Sequence, residues 1–106
     1  MSFQLQPGEK VILEEDCAED KLKSGILILT NKRLLFKATM GKLATFSKKE
    51  GDILLDLPLD RITSVSRQGF IVAKLLISSG EATYKFGVFG IGKWEKEIQK
   101  AKTTAI

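Results

Sequence analysis

The stretch of sequence that decides the fold runs from Ser24 to Phe36 and consists of the residues SGILILTNKRLLF. Two short apolar runs, Ile26–Leu29 and Leu34–Phe36, flank four polar residues that include Asn31. Short apolar runs with β-branched residues are typical of strands, and asparagine favours the geometry of a tight turn. The stretch therefore predicts a β-hairpin.

The sequence on either side of this hairpin predicts five more strands. The apolar residues at positions 53, 55, 57 and 59 share one face, and Asp56 and Pro58 lie on the other. Pro58 has no N–H group, so we expect it at an edge or an end of its strand. The predicted strands are Lys10–Cys17, Gly25–Thr30, Arg33–Ala38, Ile53–Leu59, Ile62–Arg67, Phe70–Ser78 and Glu81–Val88, and a short extra strand is an option at Leu43–Ser47.

The C-terminal end of the chain has a different period. Ile91, Trp94, Ile98 and Ala101 recur at intervals of three, four and three residues, which is the stripe of an amphipathic helix over about 91–101. A helix this short is marginal alone, so we expect Trp94 and Ile98 to be structural residues that dock it on the open end of a β-barrel. Seven strands and one helix predict a mainly β fold, an antiparallel sandwich or barrel.

Length and composition indicate one domain over residues 1–106, with 43% apolar residues to form its core. No apolar run approaches the roughly 20 residues that a membrane-spanning helix needs. Residues 1–9 lack the basic start and apolar centre of a secretory signal. The single cysteine, Cys17, cannot form an internal disulfide. We therefore expect a cytoplasmic protein, with peripheral membrane association as an alternative.

The residue types argue against catalysis. The chain has no histidine, the commonest general base and a frequent metal ligand. Cys17 therefore lacks its usual activating partner, and the consecutive acids Glu14–Asp16 would alternate between the faces of a strand. The glycines at 87, 90 and 92 fit strand exit and helix entry better than a phosphate-binding loop. We expect a non-enzymatic protein with no cofactor and no metal ion.

Charge is strongly segregated along the chain. Residues 9–20 contain six acids against the single base Lys10, whereas residues 21–49 contain eight bases and no acid. Folding could bring the two blocks together so that they neutralise each other, or it could leave the basic block exposed. An exposed basic block would attract anionic partners in a salt-dependent way.

Three motifs match a known family pattern. The matching residues are Gly25, Leu27, Leu29, Thr30, Asn31, Arg33, Leu34 and Phe36 in the hairpin, Leu57, Pro58, Leu59, Ile62 and Val65 further on, and Leu5, Pro7, Gly8 and Glu9 near the start. With them, the chain resembles the pleckstrin-homology-like (PH-like) superfold, and in particular its GRAM and bacterial PH-like families. The resemblance covers Leu5 to Ala101. It implies a seven-stranded antiparallel PH-like barrel of two near-orthogonal sheets, capped by one C-terminal α-helix.

The resemblance also implies a binding module, because families of this fold bind phosphoinositides, other anionic lipids, peptides or partner proteins. Members that bind phosphoinositides typically have a lysine at the end of the first strand, and here Lys21 and Lys23 lie in the connection that follows it. They also have a Lys/Arg-Xaa-Arg motif in the second strand. The predicted second strand, Gly25–Thr30, has no basic residue, which argues against tight binding of an inositide headgroup.

Lysines in two connections form a candidate rim for an anionic ligand. In an antiparallel meander, the first-to-second and third-to-fourth connections lie at the same end of the sheet. The rim consists of Lys21, Lys23, Lys42, Lys48 and Lys49, and the candidate apolar contacts beside it are Met40, Leu43 and Phe46. The apolar residues could enter a membrane interface or a partner's groove. Alternatively, they cover the barrel and the lysines only keep the rim soluble.

Two functions remain open from the sequence. The first is protein recognition, with a partner protein or another copy of the chain, through an apolar patch or an edge strand. The second is peripheral binding to an anionic membrane through the lysine rim. Nucleic acid is not expected, because the aromatic residues of the basic block, Phe36 and Phe46, are predicted to point inward and leave no stacking platform.

Overall fold

Seven strands, one α-helix and a short 3-10 turn make up the regular structure of the part of the chain that the structure describes. The computed structural model describes residues 4–38, 53–69, 73–80 and 82–104. The strands are β1 (Val11–Glu19), β2 (Lys23–Thr30), β3 (Arg33–Ala38), β4 (Ile53–Pro58), β5 (Ser64–Gln68), β6 (Lys74–Ser79) and β7 (Ala82–Gly87), and the helix is α1 (Ile91–Thr104). The prediction of a mainly β fold with seven strands and one C-terminal helix is confirmed.

The strands form one antiparallel sheet in the order β4-β3-β2-β1-β7-β6-β5. The strands thus pair as one continuous sheet and not as the two separate sheets expected, and we refer to β1–β4 and β5–β7 as its two halves. They are joined where β1 pairs with β7 through Ala18 with Gly87 and Glu19 with Phe86. Because β1 pairs with β2 along nearly its whole length, this strand belongs to both halves. The outermost strands are β4 and β5, and β4 ends at Pro58, as its missing N–H group predicts.

The β2–β3 hairpin has the predicted two-residue turn, with Leu29 paired to Leu34 beside it. The hairpin's inward side chains are fully buried and include the Phe36 ring. Gly25 is required by the close approach of the two strands. A Cβ atom on Gly25 would lie 2.5 Å from the Lys37 carbonyl oxygen and 2.5 Å from the Phe36 ring.

Several boundaries differ from the predictions. The connection that the predicted strands leave between Cys17 and Gly25 is only the turn 20–22, because β1 continues to Glu19 and β2 begins at Lys23. Strand β5 begins at Ser64 and not at Ile62. The reason is a 3-10 turn at Leu59–Arg61, which Ile62 closes by donating its N–H to the Leu59 carbonyl (3.2 Å).

Helix α1 closes the core through the predicted stripe. Trp94 and Ile98 are fully buried, and Ala101 is 6% exposed. The helix extends three residues beyond the predicted end at 101. The indole Nε1–H of Trp94 donates to Glu15 Oε1 on β1 (2.7 Å), so the buried donor has a partner. The helix thus packs across the space between β1 and the β5–β7 half.

Candidate functional site

Two of the sequence motifs meet at Glu9, whose side chain is completely buried. Arg33 Nε donates to Glu9 Oε2 (2.8 Å), and Thr30 Oγ1 donates to the same oxygen (2.6 Å). Glu9 Oε1 accepts from the Gln6 backbone N–H (2.7 Å) and from Arg33 Nη2 (3.1 Å). Arg33 also donates to Asp56 on β4 (2.9 Å). We call Glu9, Thr30, Asn31 and Arg33 the Glu9 hub.

Asn31 completes the hub by joining the hairpin turn to the segment before β1. Its side-chain oxygen accepts from the Lys10 N–H (2.7 Å), and its side-chain nitrogen donates to the Gly8 carbonyl (3.0 Å). Thr30 Oγ1 accepts from the N–H groups of Lys32 and Arg33 (3.0 Å each). These contacts hold the turn and the segment before β1 in one arrangement, so these motif residues have a structural role.

The hub changes the acidity of Glu9. Burial by itself would raise the pKa of this carboxyl, but the hydrogen bonds from Arg33, Thr30 and the Gln6 N–H outweigh it, as does the Arg33 charge. Together they lower the pKa from 4.5 to about 2. Glu9 is therefore a carboxylate in the folded protein across the physiological range.

A second buried carboxylate shapes the β1–β2 turn at the other end of β1. Glu19 is 2% exposed. Its Oε1 accepts from the N–H groups of Lys21 (2.7 Å) and Leu22 (2.8 Å), and its Oε2 accepts from the Lys85 N–H on β7 (2.9 Å). The turn residue Lys23 adopts a left-handed conformation, with φ 71°. Glu19 thus fixes the direction in which the turn lysines leave the sheet.

Four lysines gather at this end of the sheet, and two of them come from strands far along the chain. We define the basic surface as Lys21, Lys23, Lys74 and Lys85, which lie around the exposed Asp20. Lys74 Nζ donates to Asp20 Oδ1 (2.5 Å). This hydrogen bond lowers the pKa of Asp20, and so do the nearby charges of Lys74, Lys85 and Lys23. The basic surface therefore has an excess of positive charge.

Lys21 and Tyr84 make a cation–π contact on this surface, with Lys21 Nζ 5.0 Å from the ring centroid. Sequence reasoning included Lys21 and Lys23 in the rim and missed Lys74 and Lys85. No local pattern connects these four residues, because the sheet order alone brings β7 beside β1. The remaining rim lysines, Lys42, Lys48 and Lys49, the contact residues Met40, Leu43 and Phe46, and the optional strand at 43–47 lie outside the described residues.

The connection that carries those residues leaves and re-enters the sheet at the same end as the β1–β2 turn. It leaves β3 at Ala38, which pairs with Gly25 at the start of β2. It enters β4 at Ile53, which pairs with Lys37. The geometry of the strands thus agrees with the expected position of the connection, while the full lysine rim stays a prediction.

The acidic block is largely used inside the fold. Glu9 binds Arg33, Glu15 accepts the Trp94 indole N–H, and Glu19 holds the β1–β2 turn. The run at 14–16 alternates as expected, with Glu15 on the core side and both Glu14 and Asp16 exposed. The question of whether the acidic and basic blocks neutralise each other therefore has a mixed answer. Glu9 pairs with Arg33 of the basic block, Asp20 pairs with Lys74 outside that block, and Glu15 and Glu19 bind neutral groups.

An open groove of about 770 Å³ lies at the opposite end of the sheet from the basic surface. It lies between the start of β1, the β2–β3 turn, the 3-10 turn and the last turns of α1. We call it the end groove. Its lining residues are Ile12, Asn31, Lys32, Pro58, Leu59, Asp60, Glu97, Lys100, Ala101 and Thr104. Sequence reasoning missed it, because four separate elements contribute to it.

Among the described residues, no helix is long and apolar enough to cross a membrane. Within the same residues, no group of three or more acidic or cysteine side chains is placed to hold a metal ion.

Cys17 is a buried thiol. Burial raises its pKa to about 12, and the charges of Glu19, Asp16 and Glu15 act in the same direction.

Comparison with known proteins supports the fold. No protein-family profile and no curated protein matches this chain. A solved structure described as the Vps36 N-terminal PH domain is similar, with a TM-score of 0.67, 15% identity, and coverage of 95% of this chain and 84% of that one. The PH domain from TgAPH is similar with a TM-score of 0.55, 20% identity, and coverage of 83% and 80%. These likenesses establish a PH-like fold; membership of the GRAM or bacterial families remains a prediction.

Proposed function

We propose that the protein is a non-catalytic recognition module that binds a segment of a partner protein in the end groove. The observation that carries the proposal is the groove itself, which at about 770 Å³ has the size typical of ligand sites. Protein recognition through an exposed apolar surface was the first expectation from the sequence. The groove supports that expectation and is the site we propose for it.

The chemistry of the end groove fits a polypeptide. Ile12 is 38% exposed, and with the exposed Pro58 it supplies apolar surface, while the nearly buried Leu59 and Ala101 lie at the base of the groove. Both signs of charge are present in the lining, from Lys32 and Lys100 and from Asp60 and Glu97. An apolar centre with a polar rim is the usual anatomy of a protein interface. The mixed charges do not favour an anionic bilayer at this end.

A catalytic role is not part of the proposal. The buried acids Glu9 and Glu19 accept hydrogen bonds from partners within the fold. The Cys17 thiol, with its pKa raised to about 12, is protonated at neutral pH and therefore a poor nucleophile.

Selection of peptides followed by NMR mapping tests the proposal even though the partner is unidentified. Peptides selected from a random phage-displayed library should shift the backbone amide signals of Ile12, Leu59 and Ala101. Ile12→Asp should weaken their binding at least tenfold, because it puts a charge into the apolar contact. The matched control is Leu54→Asp, at an apolar residue of β4 that is 43% exposed and lies outside the groove lining. Selected peptides that shift other residues, or bind Ile12→Asp equally well, would contradict the proposal.

A second candidate function is peripheral binding to an anionic membrane, and the basic surface favours it. Each lysine near an anionic leaflet contributes about 1 kcal/mol of attraction. The surface has four lysines around Asp20, so attraction should be weak and salt-dependent. Residues 39–52 would add Lys42, Lys48 and Lys49 if they lie at the same end.

Co-sedimentation with phosphatidylserine-containing and neutral liposomes tests this second candidate. The double variant Lys21→Glu/Lys85→Glu should lower the partition coefficient of the protein onto phosphatidylserine-containing liposomes at least tenfold. Raising the salt concentration should weaken binding by the wild type. Lys10→Glu/Lys96→Glu makes the same change in net charge at exposed positions outside the basic surface. Equal losses in both double variants would show that net charge alone is responsible. No binding at physiological salt would leave protein recognition as the function.

A further inference from the structure

Phe89 is the most exposed of the large apolar side chains that the structure describes, at 83%. It lies in the short link between the end of β7 at Gly87 and the start of α1 at Ile91. The side chains of phenylalanines usually contribute to a core, as Phe36 and Phe86 do here. A single exposed apolar residue needs no explanation by itself, so the case for Phe89 as a contact residue depends on its surroundings.

The link that carries Phe89 is held on both sides. Val88 packs against the core cluster, and the neighbouring Ile91 does the same. Gly90 has a left-handed φ of 67°, and its carbonyl accepts the N–H of the fully buried Trp94 (3.0 Å) as the helix begins. The exposure of Phe89 is therefore imposed by ordered neighbours.

Two shallow depressions share Phe89 as a wall. The first, of about 460 Å³, is lined by Glu14, Glu15, Asp16, Ile26 and Phe89. The second, of about 510 Å³, lies between β1, the start of β2 and the end of β7, and Asp16 and Phe89 line it too. The aromatic ring thus stands between two concave surfaces, both of which contain a carboxylate.

The carboxylates beside Phe89 determine what could bind there. Glu15 is occupied by the Trp94 indole N–H. Glu14 and Asp16 are exposed, and within the described part of the chain neither makes a hydrogen bond or an ion pair through its carboxylate. A ligand for this surface must therefore combine apolar groups with positive charge.

We propose that Glu14, Asp16, Ile26 and Phe89, which we call the Phe89 patch, bind an arginine-containing apolar segment of a partner protein. A guanidinium group stacks on aromatic rings and pairs with carboxylates through its fixed fork of donors, so one arginine can use both features. An apolar neighbour of that arginine would cover Ile26 and the ring edge. Anionic lipid is disfavoured here, because its phosphate would meet Glu14 and Asp16. The proposal uses no residue of the end groove.

NMR titration of the ¹⁵N-labelled protein with the peptide acetyl-Leu-Arg-Leu-Arg-Leu-amide tests the proposal. The peptide should shift the backbone amide signals of Asp16, Ile26 and Phe89, with a dissociation constant in the millimolar range or tighter. The analogue with glutamate in place of arginine should cause no shifts. Absence of binding by the arginine peptide at millimolar concentration, or equal binding of both peptides, would overturn the proposal.

Two variants assign the binding to the patch. Phe89→Ala and Asp16→Asn should each weaken binding of the arginine peptide at least fivefold, while Leu54→Ala, at an exposed apolar residue of β4, should leave it unchanged. Asp16 and Phe89 are both exposed, so each variant should have the same midpoint of thermal unfolding as the wild type. Unchanged binding by Phe89→Ala would overturn the proposal.

Two further measurements separate this proposal from the functions above. Ile12→Asp in the end groove should still bind the arginine peptide, so the two protein-binding sites can fail independently. Phe89→Ala should not change the partition onto phosphatidylserine liposomes. Loss of liposome binding in Phe89→Ala would overturn the proposal by assigning the ring to membrane insertion.

Discussion

At the scale of single residues, Glu9 shows how a buried charge becomes part of a fold. Its carboxylate is removed from water but accepts four hydrogen bonds, two of them from the Arg33 guanidinium. A buried pair of this kind offsets its own desolvation only when its hydrogen bonds are complete, and the loss of one partner is costly. The hub therefore has a larger effect on stability than an ion pair at the surface.

Glu9→Gln should lower the free energy of unfolding by about 2–4 kcal/mol, because Arg33 and Thr30 lose their charged acceptor. Urea unfolding followed by Trp94 fluorescence measures this change. Glu14→Gln, at an exposed carboxylate, should change stability by less than about 0.5 kcal/mol. Equal effects of the two substitutions would mean that the hub does not contribute to stability.

The same carboxyl predicts how stability depends on pH. The pKa of Glu9 is lowered from 4.5, its ordinary value and the one expected in the unfolded chain, to about 2 in the folded protein. The carboxylate therefore makes its full contribution to the free energy of unfolding at pH values above 4.5. As the pH falls from about 5 to about 2, that contribution should disappear, and its size is about 3 kcal/mol. Urea unfolding at a series of pH values should show the wild type approaching Glu9→Gln in this range. A constant difference between them would be the contrary result.

Cys17 should be unreactive in the folded protein. Burial raises its pKa to about 12, and the thiolate is the reactive form. A chromogenic disulfide reagent at pH 8 should label no thiol in the native protein and one thiol per chain in urea. Rapid labelling without denaturant would show that β1 opens at this position.

At the scale of elements, α1 and β1 illustrate which features local patterns can predict. The three- and four-residue spacing of the α1 stripe predicted the burial of Trp94 and Ile98, since one face of a helix follows directly from that spacing. Alternation along β1 likewise predicted different faces for neighbouring acids. The pattern could not predict that Glu15 binds the Trp94 indole, because this contact joins residues 79 positions apart.

Ile98→Ala should destabilise the protein by about 2–4 kcal/mol, because it leaves a cavity under a helix that has little stability of its own. Thermal unfolding followed by circular dichroism measures the effect. Gln99→Ala, at the next and exposed position, keeps the helix propensity high and should have almost no effect. If Ile98→Ala were as stable as Gln99→Ala, the helix would not be a structural part of the core.

At the scale of the whole molecule, the two ends of the sheet differ in charge. The β1–β2 end carries the basic surface, and the β2–β3 end carries the Glu9 hub and the end groove. Strand β1 spans nine residues, so these ends are about 25 Å apart. A partner could therefore occupy one end while the other remains accessible.

Hydrogen exchange should follow the order of the strands in the sheet. Amide groups of Leu27–Leu29 in β2 should exchange most slowly, because β2 is paired on both sides and these residues are buried. Those of β5, an outermost strand with mostly exposed residues, should exchange much faster. Mass spectrometry of peptides from both strands measures the difference. Similar rates in β2 and β5 would indicate that the two halves unfold together.

The sequence was informative about elements and much less so about surfaces. Alternation, turn residues and helical spacing predicted seven strands, one helix and the core positions of Trp94 and Ile98. The basic surface combines Lys21 with Lys85, and the end groove combines Ile12 with Lys100, so each depends on a sheet order that no local pattern contains. The exposure of Phe89 was also hidden, because a single apolar residue in the link between a strand and a helix belongs to neither periodic pattern.

The junction between β1 and the C-terminal third of the chain has a consequence for biosynthesis. Trp94 follows its partner Glu15 by 79 residues, and β7, which joins the two halves of the sheet, is also made late. At about 5–20 residues per second, a ribosome needs roughly 4–16 seconds to cover that distance. During this interval the nascent β1–β3 meander can pair its strands, yet its apolar face still lacks α1 as a cover. A chaperone that binds apolar strands would have its best opportunity at that stage of translation.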